Sequence, residues 1–182
     1  PEGRVTGLPV RLEQNARRAF IGSIVNGIGF TMPPEVAADM IAQDVRNRAV
    51  LFPYLAGEDA NSNPDAGASR WVVDFTGYDE AGAASFALPY AWVETNVKDY
   101  RQTLTNKPRQ QQEWWLYERP GPAVRKPIAN LSEVLVIALV SKTVMPLRVS
   151  ASQVFSHMLG VFATDDYGDQ AVLSSSLHQL WA

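Results

Sequence analysis

The apolar positions along the chain predict strands at several separated places. Apolar side chains recur at every second position from Trp71 to Phe75, which predicts a strand over residues 70–75. Val134 to Val140 is a continuous apolar run rich in valine and isoleucine, typical of a buried central strand, and Met158 to Ala163 predicts another. The run Val50 to Leu55 contains a proline, which predicts an edge strand because proline cannot donate to a sheet.

Apolar residues spaced by three and four predict helices elsewhere. One helix begins at Pro33-Pro34, since proline suits the first turn of a helix. A second covers Pro89 to Leu104, with Tyr100 facing the core and Arg101 on the solvent side. A third runs from Asp169 into the final residues, and we expect its apolar face to close the domain.

Two further segments are predicted as turns or loops. Asn26-Gly27 tolerates positive φ, so residues 19–32 predict a β-hairpin around this dipeptide. Residues 56–69 hold almost only turn-forming residues and predict a long loop. Helices and strands are mixed without a βαβ rhythm, which predicts an α+β fold with a mixed, largely antiparallel sheet and flanking helices. We expect one compact domain over residues 1–182, which a division into two lobes would also fit.

Length and composition restrict the class of protein. With 182 residues, of which 46% are hydrophobic and 19% charged, the chain fits a globular domain with its own core. The absence of cysteine excludes a disulfide scaffold and a thiolate metal site. No apolar run approaches the ~20 residues that span a bilayer, and no secretory leader is visible. We therefore expect a cytoplasmic protein without a membrane partner.

Both ends of the sequence lead us to expect a piece of a longer protein. The chain opens on Pro1 instead of methionine. The helical pattern of the last residues reaches the end of the sequence without the glycine, proline or basic last turn that normally ends a helix.

The charge is unevenly distributed along the chain. The net charge is −3, yet residues 98–148 carry nine basic and four acidic residues. An asymmetry of this kind permits a local basic surface on an acidic protein. Nucleic acid therefore stays among the partners that the sequence allows.

The usual motifs of catalytic sites are absent from the sequence. There is no Gly-x-Ser-x-Gly elbow, no phosphate loop and no three-glycine dinucleotide fingerprint. The two histidines, His157 and His178, do not have the spacing of a zinc site. We expect no catalytic residue and no metal site in this chain.

The tryptophans leave a second class of function open. Trp114 and Trp115 are adjacent and cannot share one face of a strand or helix, so we expect one of them at an edge or an interface. Exposed tryptophans would suit a carbohydrate- or peptide-binding module. A third alternative is a small hydrolase that uses His178 with a nearby serine and carboxylate.

Several segments follow one another in a distinctive order. Pro53-Tyr54-Leu55-Ala56-Gly57-Glu58-Asp59 precedes Arg70-Trp71-Val72-Val73-Asp74-Phe75, and after them come Trp114-Trp115 and the closing Leu173 to Ala182. In this order, from about Ala19 to Ala182, the sequence resembles the target recognition domain of the MmeI-like type IIG restriction–modification enzymes and their methyltransferase relatives.

The resemblance implies a domain that recognises double-stranded DNA and positions it for a methyltransferase domain elsewhere in a bacterial parent chain. That parent would be an S-adenosylmethionine-dependent DNA N6-adenine methyltransferase, with or without an endonuclease. The family's Asn-Pro-Pro-Tyr motif and glycine-rich S-adenosylmethionine loop are absent here, since Asn63-Pro64-Asp65 is a different sequence. We therefore expect neither the cofactor nor the catalytic residues in this chain.

The resemblance also implies that the segment after the central strand reads the bases. Serine, threonine, lysine and arginine can all hydrogen bond to base edges. The basic helix and loop before Trp114 would supply phosphate contacts, which position a protein on the duplex. The expected base-reading residues are Ser141, Lys142, Thr143 and Arg148, and the expected phosphate-binding residues are Lys98, Arg101, Lys107 and Arg109.

Overall fold

The computed structural model describes residues 13–181, so the opening segment that begins at Pro1 lies outside the described residues. Helices and strands alternate irregularly along this range, which confirms the predicted α+β class. The strands are β1 Ala19–Ile21, β2 Thr31–Met32, β3 Leu51–Leu55, β4 Arg70–Val73, β5 Glu133–Ala138, β6 Leu147–Ser150, β7 Val154–Phe155 and β8 Leu159–Phe162. The α-helices are α1 Pro34–Gln43, α2 Gly57–Ser62, α3 Glu80–Ala84, α4 Ala87–Val93, α5 Asp99–Thr103, α6 Pro108–Gln112, α7 Pro122–Ile128, α8 Tyr167–Ser174 and α9 Ser176–Trp181.

Within residues 13–181 the strands form two four-stranded sheets. The first sheet has the order β1-β8-β5-β6 and is antiparallel throughout. The predicted central strand is confirmed, because β5 lies between β8 and β6 and its residues Val134 to Val136 are fully buried. The second sheet has the order β2-β4-β3-β7, with one parallel pair between β3 and β7.

The strand predicted at a sheet edge lies inside the second sheet. β3 pairs with β4 through Leu51 to Tyr54 and with β7 through Tyr54 and Leu55. The pairing with β7 therefore begins after Pro53. The proline stands where β3 has one strand neighbour, so its missing N–H breaks no ladder on the β7 side.

Two predicted loop segments form different structures. Residues 56–69 begin with helix α2, which the Asp59 carboxylate stabilises by accepting a hydrogen bond from the Ala56 amide at 3.0 Å. The turn at Asn26-Gly27 does have positive φ angles of 50° and 139°. The flanking strands β1 and β2 nevertheless belong to different sheets, so the predicted hairpin is wrong.

The predicted helix over 89–104 is confirmed, and Val93 and Val97 are buried as expected, but the buried face differs after them. Helices α4 and α5 are joined by a π-helical turn, Glu94–Lys98, in which each turn takes up more residues than in an α-helix. The buried series is therefore Val93, Val97 and Arg101, at intervals of four, whereas Tyr100 is 47% exposed. The extra residue in the turn brings Arg101 into the core.

Two hydrophobic clusters form the core. The first lies between the second sheet and the helices α1 and α3–α5, and it includes both Trp114 and Trp115. Their rings meet edge to face at 6.0 Å in a turn, which is why adjacent residues can both be buried. The second cluster lies between the first sheet and helix α7. One tryptophan at an edge was expected, and this expectation is wrong.

The closing helix is interrupted and largely exposed. Asp166 accepts the capping hydrogen bond of α8, three residues before the predicted start, and an extended residue at Ser175 separates α8 from α9. The apolar side chains of Val172, Leu177 and Leu180 are 66–86% exposed. The predicted apolar face therefore does not close the domain.

Candidate nucleic-acid interface

The connection between β5 and β6, residues 139–146, projects from one end of the first sheet. We call it the β5–β6 loop. Three of the four expected base-reading residues, Ser141, Lys142 and Thr143, lie at its tip and are exposed. The backbone amide of Thr143 donates to the Ser141 hydroxyl oxygen at 3.4 Å. Lys142 has no ion-pair partner among residues 13–181.

The base of the β5–β6 loop is held from two sides. The Leu139 amide donates to the Met158 carbonyl at 2.9 Å, next to the first residue of β8. The Asn61 side chain, on α2, donates to the Val140 carbonyl at 3.0 Å. Asn61 cannot be singled out from the sequence, because its segment has the composition of a plain loop. The tip is thus presented from a fixed base, as a recognition loop on a rigid scaffold requires.

Arg148, the fourth expected base-reading residue, is held by other parts of the protein. Its side chain is 13% exposed, and its guanidinium carbon lies 4.0 Å from the centre of the Tyr167 ring. Nε and Nη2 donate to the Gln170 side-chain oxygen at 3.2 and 3.0 Å, and Nη1 donates to the Asp165 carbonyl at 2.8 Å. Arg148 therefore fastens α8 and its preceding turn to β6. Its expected role in base readout is corrected, since its donors are already used.

Arg101 is fully buried, so it cannot contact phosphate from its position in this fold. Nη2 donates to the carbonyls of Val25 and Leu116 at 3.0 and 3.3 Å, and the guanidinium lies 5.5 Å from the Phe30 ring centre. Burial lowers the pKa of Arg101 below its ordinary value, because the charged form loses its hydration. The π-helical turn explains this correction, and we assign Arg101 a structural role.

The other three expected phosphate-binding residues pair with carboxylates. Lys98 contacts Glu94 at 2.7 Å and lies 4.8 Å from the Trp114 ring centre. The side chains of the three basic residues are 39–67% exposed. Exposed ion pairs of this kind contribute only about 0–1 kcal/mol, so a phosphate can replace the carboxylate. The other pairs are Lys107 with Glu118 at 3.3 Å and Arg109 with Glu113 at 2.7 Å.

A further basic residue of the same segment is also neutralised. Arg125, on α7, is paired with Asp74, whose side chain is 1% exposed and also accepts from the Thr76 amide at 2.9 Å. Burial lowers the pKa of Arg125. The nine basic residues of the 98–148 segment therefore do not form one continuous positive ridge. Several of them neutralise carboxylates or hold the fold together.

The tryptophans do not support the carbohydrate- or peptide-binding alternative. Trp71 and Trp92 are partly buried against the first cluster, and Trp114 and Trp115 are buried within it. The indole N–H groups of Trp92 and Trp115 donate to the carbonyls of Gly29 and Tyr78. Each of these four rings is wholly or partly covered by the first cluster, so none is the fully exposed platform that this alternative requires.

The surroundings of His178 do not resemble a hydrolase site. The groove beside it is wide and lined by Ala171, Val172, Ser175 and Leu177, without a carboxylate. Over residues 13–181 we also find no group of three histidine, aspartate or glutamate side chains placed to hold a metal ion. Helices long and apolar enough to cross a bilayer do not occur in the described part of the chain.

Comparison with known proteins adds a fold relationship. No protein-family model matches the chain, and no curated protein matches it. Among solved structures, the chain is similar to the type IIL restriction–modification enzyme MmeI, which was determined in complex with DNA. The TM-score is 0.67 at 16% sequence identity, over 100% of this chain and 22% of that chain.

The similarity shows that this chain has a fold that occurs in a restriction–modification enzyme. The chain spans about a fifth of the length of that enzyme chain. At 16% identity the likeness concerns the fold alone, so function has to be argued from the residues of this chain.

Proposed function

We propose that this chain is a target recognition domain that reads a sequence in double-stranded DNA and positions the duplex for a methyltransferase domain of the same parent protein. The observation that carries the proposal is the β5–β6 loop. Its tip presents Lys142, Ser141 and Thr143 to solvent, and its base is held by backbone and side-chain hydrogen bonds. The fold shared with a DNA-bound restriction–modification enzyme supports it.

The chemistry of the loop tip suits base edges in the major groove. The ammonium group of a lysine donates to the O6 and N7 acceptors of guanine, and a hydroxyl group can donate or accept. Each good contact is worth about 1–3 kcal/mol of discrimination against the wrong base. Two or three such contacts are enough to fix part of a recognition sequence, while other surfaces supply affinity through phosphates.

The parent protein that we propose is an S-adenosylmethionine-dependent DNA N6-adenine methyltransferase of the type IIG kind, with or without endonuclease activity. The cofactor and the catalytic residues would belong to the parent's other domains. The full-length protein, mixed with S-adenosylmethionine and duplex DNA, should produce N6-methyladenine at one recognition sequence. Methylation at adenines without a shared sequence would contradict the recognition role.

The test for this chain uses a library of random duplexes, selected on the immobilised protein and sequenced. Lys142→Ala should change the preferred base at one position and weaken binding of the preferred duplex roughly 5- to 150-fold, as expected for 1–3 kcal/mol. Lys126→Ala is the matched control, because Lys126 is an exposed lysine on α7, away from the loop. It should leave the preferred sequence unchanged.

Two results would refute the proposal. One is that Lys142→Ala and Thr143→Ala both select the same sequence as the unchanged protein. The other is that binding of duplex DNA does not weaken as salt is raised from 50 to 200 mM, because phosphate contacts make protein–DNA affinity strongly salt-dependent.

A further inference from the structure

An open groove of about 630 Å³ lies beside the strand end that carries the β5–β6 loop. The apolar side chains of Ile21, Ile24 and Pro120 line it. The charged and polar side chains of Arg109, Arg119, Glu118 and His157 also line it. We call it the strand-end groove.

The basic side chains of the strand-end groove stand on a fixed backbone. Ile24 and Arg119 exchange two backbone hydrogen bonds of 2.9 and 3.0 Å, and the His157 amide donates to the Ser23 carbonyl at 3.0 Å. Arg119 and His157 therefore flank the same extended segment on opposite sides. Two strand spacings separate their backbones by about 10 Å. Both side chains are exposed, and backbone pairing fixes their positions before any ligand binds.

The strand-end groove and the β5–β6 loop are continuous. His157 immediately precedes Met158, whose carbonyl accepts the hydrogen bond from Leu139 at the base of the loop. Antiparallel pairing also brings the last residue of β1, Ile21, opposite Gly160 and the last residue of β5 opposite Leu159. The ends of β1 and β5 and the start of β8 thus form one edge, with the loop at one side and the groove at the other.

Two basic side chains of the strand-end groove have no carboxylate partner in the described structure. Neither Arg119 nor His157 has a carboxylate within 4.0 Å among residues 13–181. Glu118 is the carboxylate that lines the groove, and Lys107 pairs with it at 3.3 Å. Arg109 is 67% exposed and its pair with Glu113 is of the weak surface kind. The groove therefore combines arginine donors with apolar side chains.

We propose that the strand-end groove binds the sugar–phosphate backbone of the duplex whose bases the β5–β6 loop reads. This inference rests on the proposed function. Arg119 and Arg109 donate to phosphate oxygens, for which the guanidinium fork is well matched, and His157 adds a ring N–H donor. Ile21, Ile24 and Pro120 contact the apolar faces of the deoxyriboses. Arg109 keeps the phosphate role expected from the sequence, whereas Arg119 and His157 are additional residues that the sequence did not single out.

The experiment measures duplex affinity as a function of salt for the chain and its variants. Each phosphate contact contributes about 0.9 to the slope of log affinity against log salt. Arg119→Ala should therefore lower the slope by about 0.9, so that affinity falls roughly threefold less between 50 and 200 mM salt. The sequence selected from the random library should not change, because phosphates carry no base information. Arg109→Ala with Arg119→Ala should lower the slope by about twice as much.

Arg48→Ala is the matched control. Arg48 is an exposed arginine without an ion-pair partner in the described residues. It precedes the first residue of β3, whereas the groove side of β3 is its last residue, Leu55, whose carbonyl accepts from the Ser156 amide. It should keep the slope of the unchanged protein. Arg119→Gln is the second variant, which retains a polar side chain; circular dichroism of each variant verifies that it is folded.

The outcomes separate the two proposals. If the unchanged protein binds duplex DNA and Lys142→Ala alters its preferred sequence, but Arg119→Ala and Arg119→Gln keep the full slope, the strand-end groove is overturned and the recognition role stands. If the unchanged protein binds no duplex at low salt, both proposals fail together. A changed sequence preference in Arg119→Ala would also overturn the groove, since it would make Arg119 a base contact.

Discussion

Replacing Arg101 tests whether this side chain belongs to the core or to a DNA-binding surface. It is fully buried, and Nη2 links the backbone at Val25 to the backbone at Leu116. The variants Arg101→Ala and Arg101→Met separate two contributions. Alanine removes both the hydrogen bonds and the packing, whereas methionine removes the hydrogen bonds and keeps most of the volume.

The magnitude follows from the contacts of the side chain. Leaving the buried Val25 carbonyl and the part-buried Leu116 carbonyl without a donor costs at most about 1–3 kcal/mol each. Against this, Nε and Nη1 find no acceptor among the described residues, and removing two such buried donors returns a similar free energy. The polar contributions nearly cancel, so the lost packing against Phe30 and its neighbours decides the result. For a long side chain cut to alanine, that loss is roughly 2–4 kcal/mol.

Urea unfolding followed by circular dichroism measures both variants. Arg101→Ala should lower the free energy of unfolding by about 2–4 kcal/mol, whereas Arg101→Met should stay within about 1 kcal/mol of the unchanged protein. At 25 °C both variants should remain folded, and their affinity for DNA should depend on salt as it does in the unchanged protein. The reasoning is refuted if Arg101→Ala is as stable as the unchanged protein, or if Arg101→Met loses a phosphate contact while remaining folded.

Two more changes test the neighbourhood of the strand-end groove. Gly22→Ala would place a Cβ in steric conflict with the carbonyl oxygens of Phe155 and Ser156. Since both are backbone atoms, we expect a loss of about 3 kcal/mol and a Tm lower by about 6–12 °C in a thermal scan; an unchanged Tm would contradict this contact. Partial burial acts to raise the pKa of Glu118, but the hydrogen bonds from Lys107 and Gln110 and the charges of Lys107 and Arg101 together outweigh it, so the pKa lies below the ordinary 4.5. The pair therefore stabilises the fold above pH 4.5, and this contribution is lost as pH falls through the lowered pKa. Glu118→Gln should be less stable than the unchanged protein at pH 7, by under about 1 kcal/mol, and equal to it near pH 2 in urea titrations; an equal difference at both pH values would exclude the pair as the cause.

The features that short-range pattern predicts are those whose cause is local. Helix α1 begins at Pro34 as predicted, because proline in the first turn and the apolar spacing that follows lie within one stretch of chain. The strands β4, β5 and β8 are confirmed for the same reason. The tip of the β5–β6 loop is a similar case, because its exposed polar residues follow the buried strand within a few positions of the chain.

The candidate site is predicted only in part, because side-chain partners lie far away in sequence. Arg148 is fastened by Gln170, 22 residues further on, and Arg125 meets Asp74, 51 residues before it. A count of basic residues cannot distinguish such side chains from free ones. Arg119 and His157 are 38 residues apart in the sequence and were not selected. They become neighbours only because both pair with the segment at Ser23 and Ile24.

Sequence alone therefore determined the α+β class, the central strand β5 and the polar tip after it, since each follows from residues that are neighbours along the chain. Tertiary structure alone decided which strands share a sheet, which arginines are buried and which basic side chains remain at the surface. These outcomes depend on strand pairing between distant segments and on one extra residue in a π-helical turn, which moves Arg101 into the core. The local periodicity of apolar residues contains no information about strand pairing or about the π-helical turn.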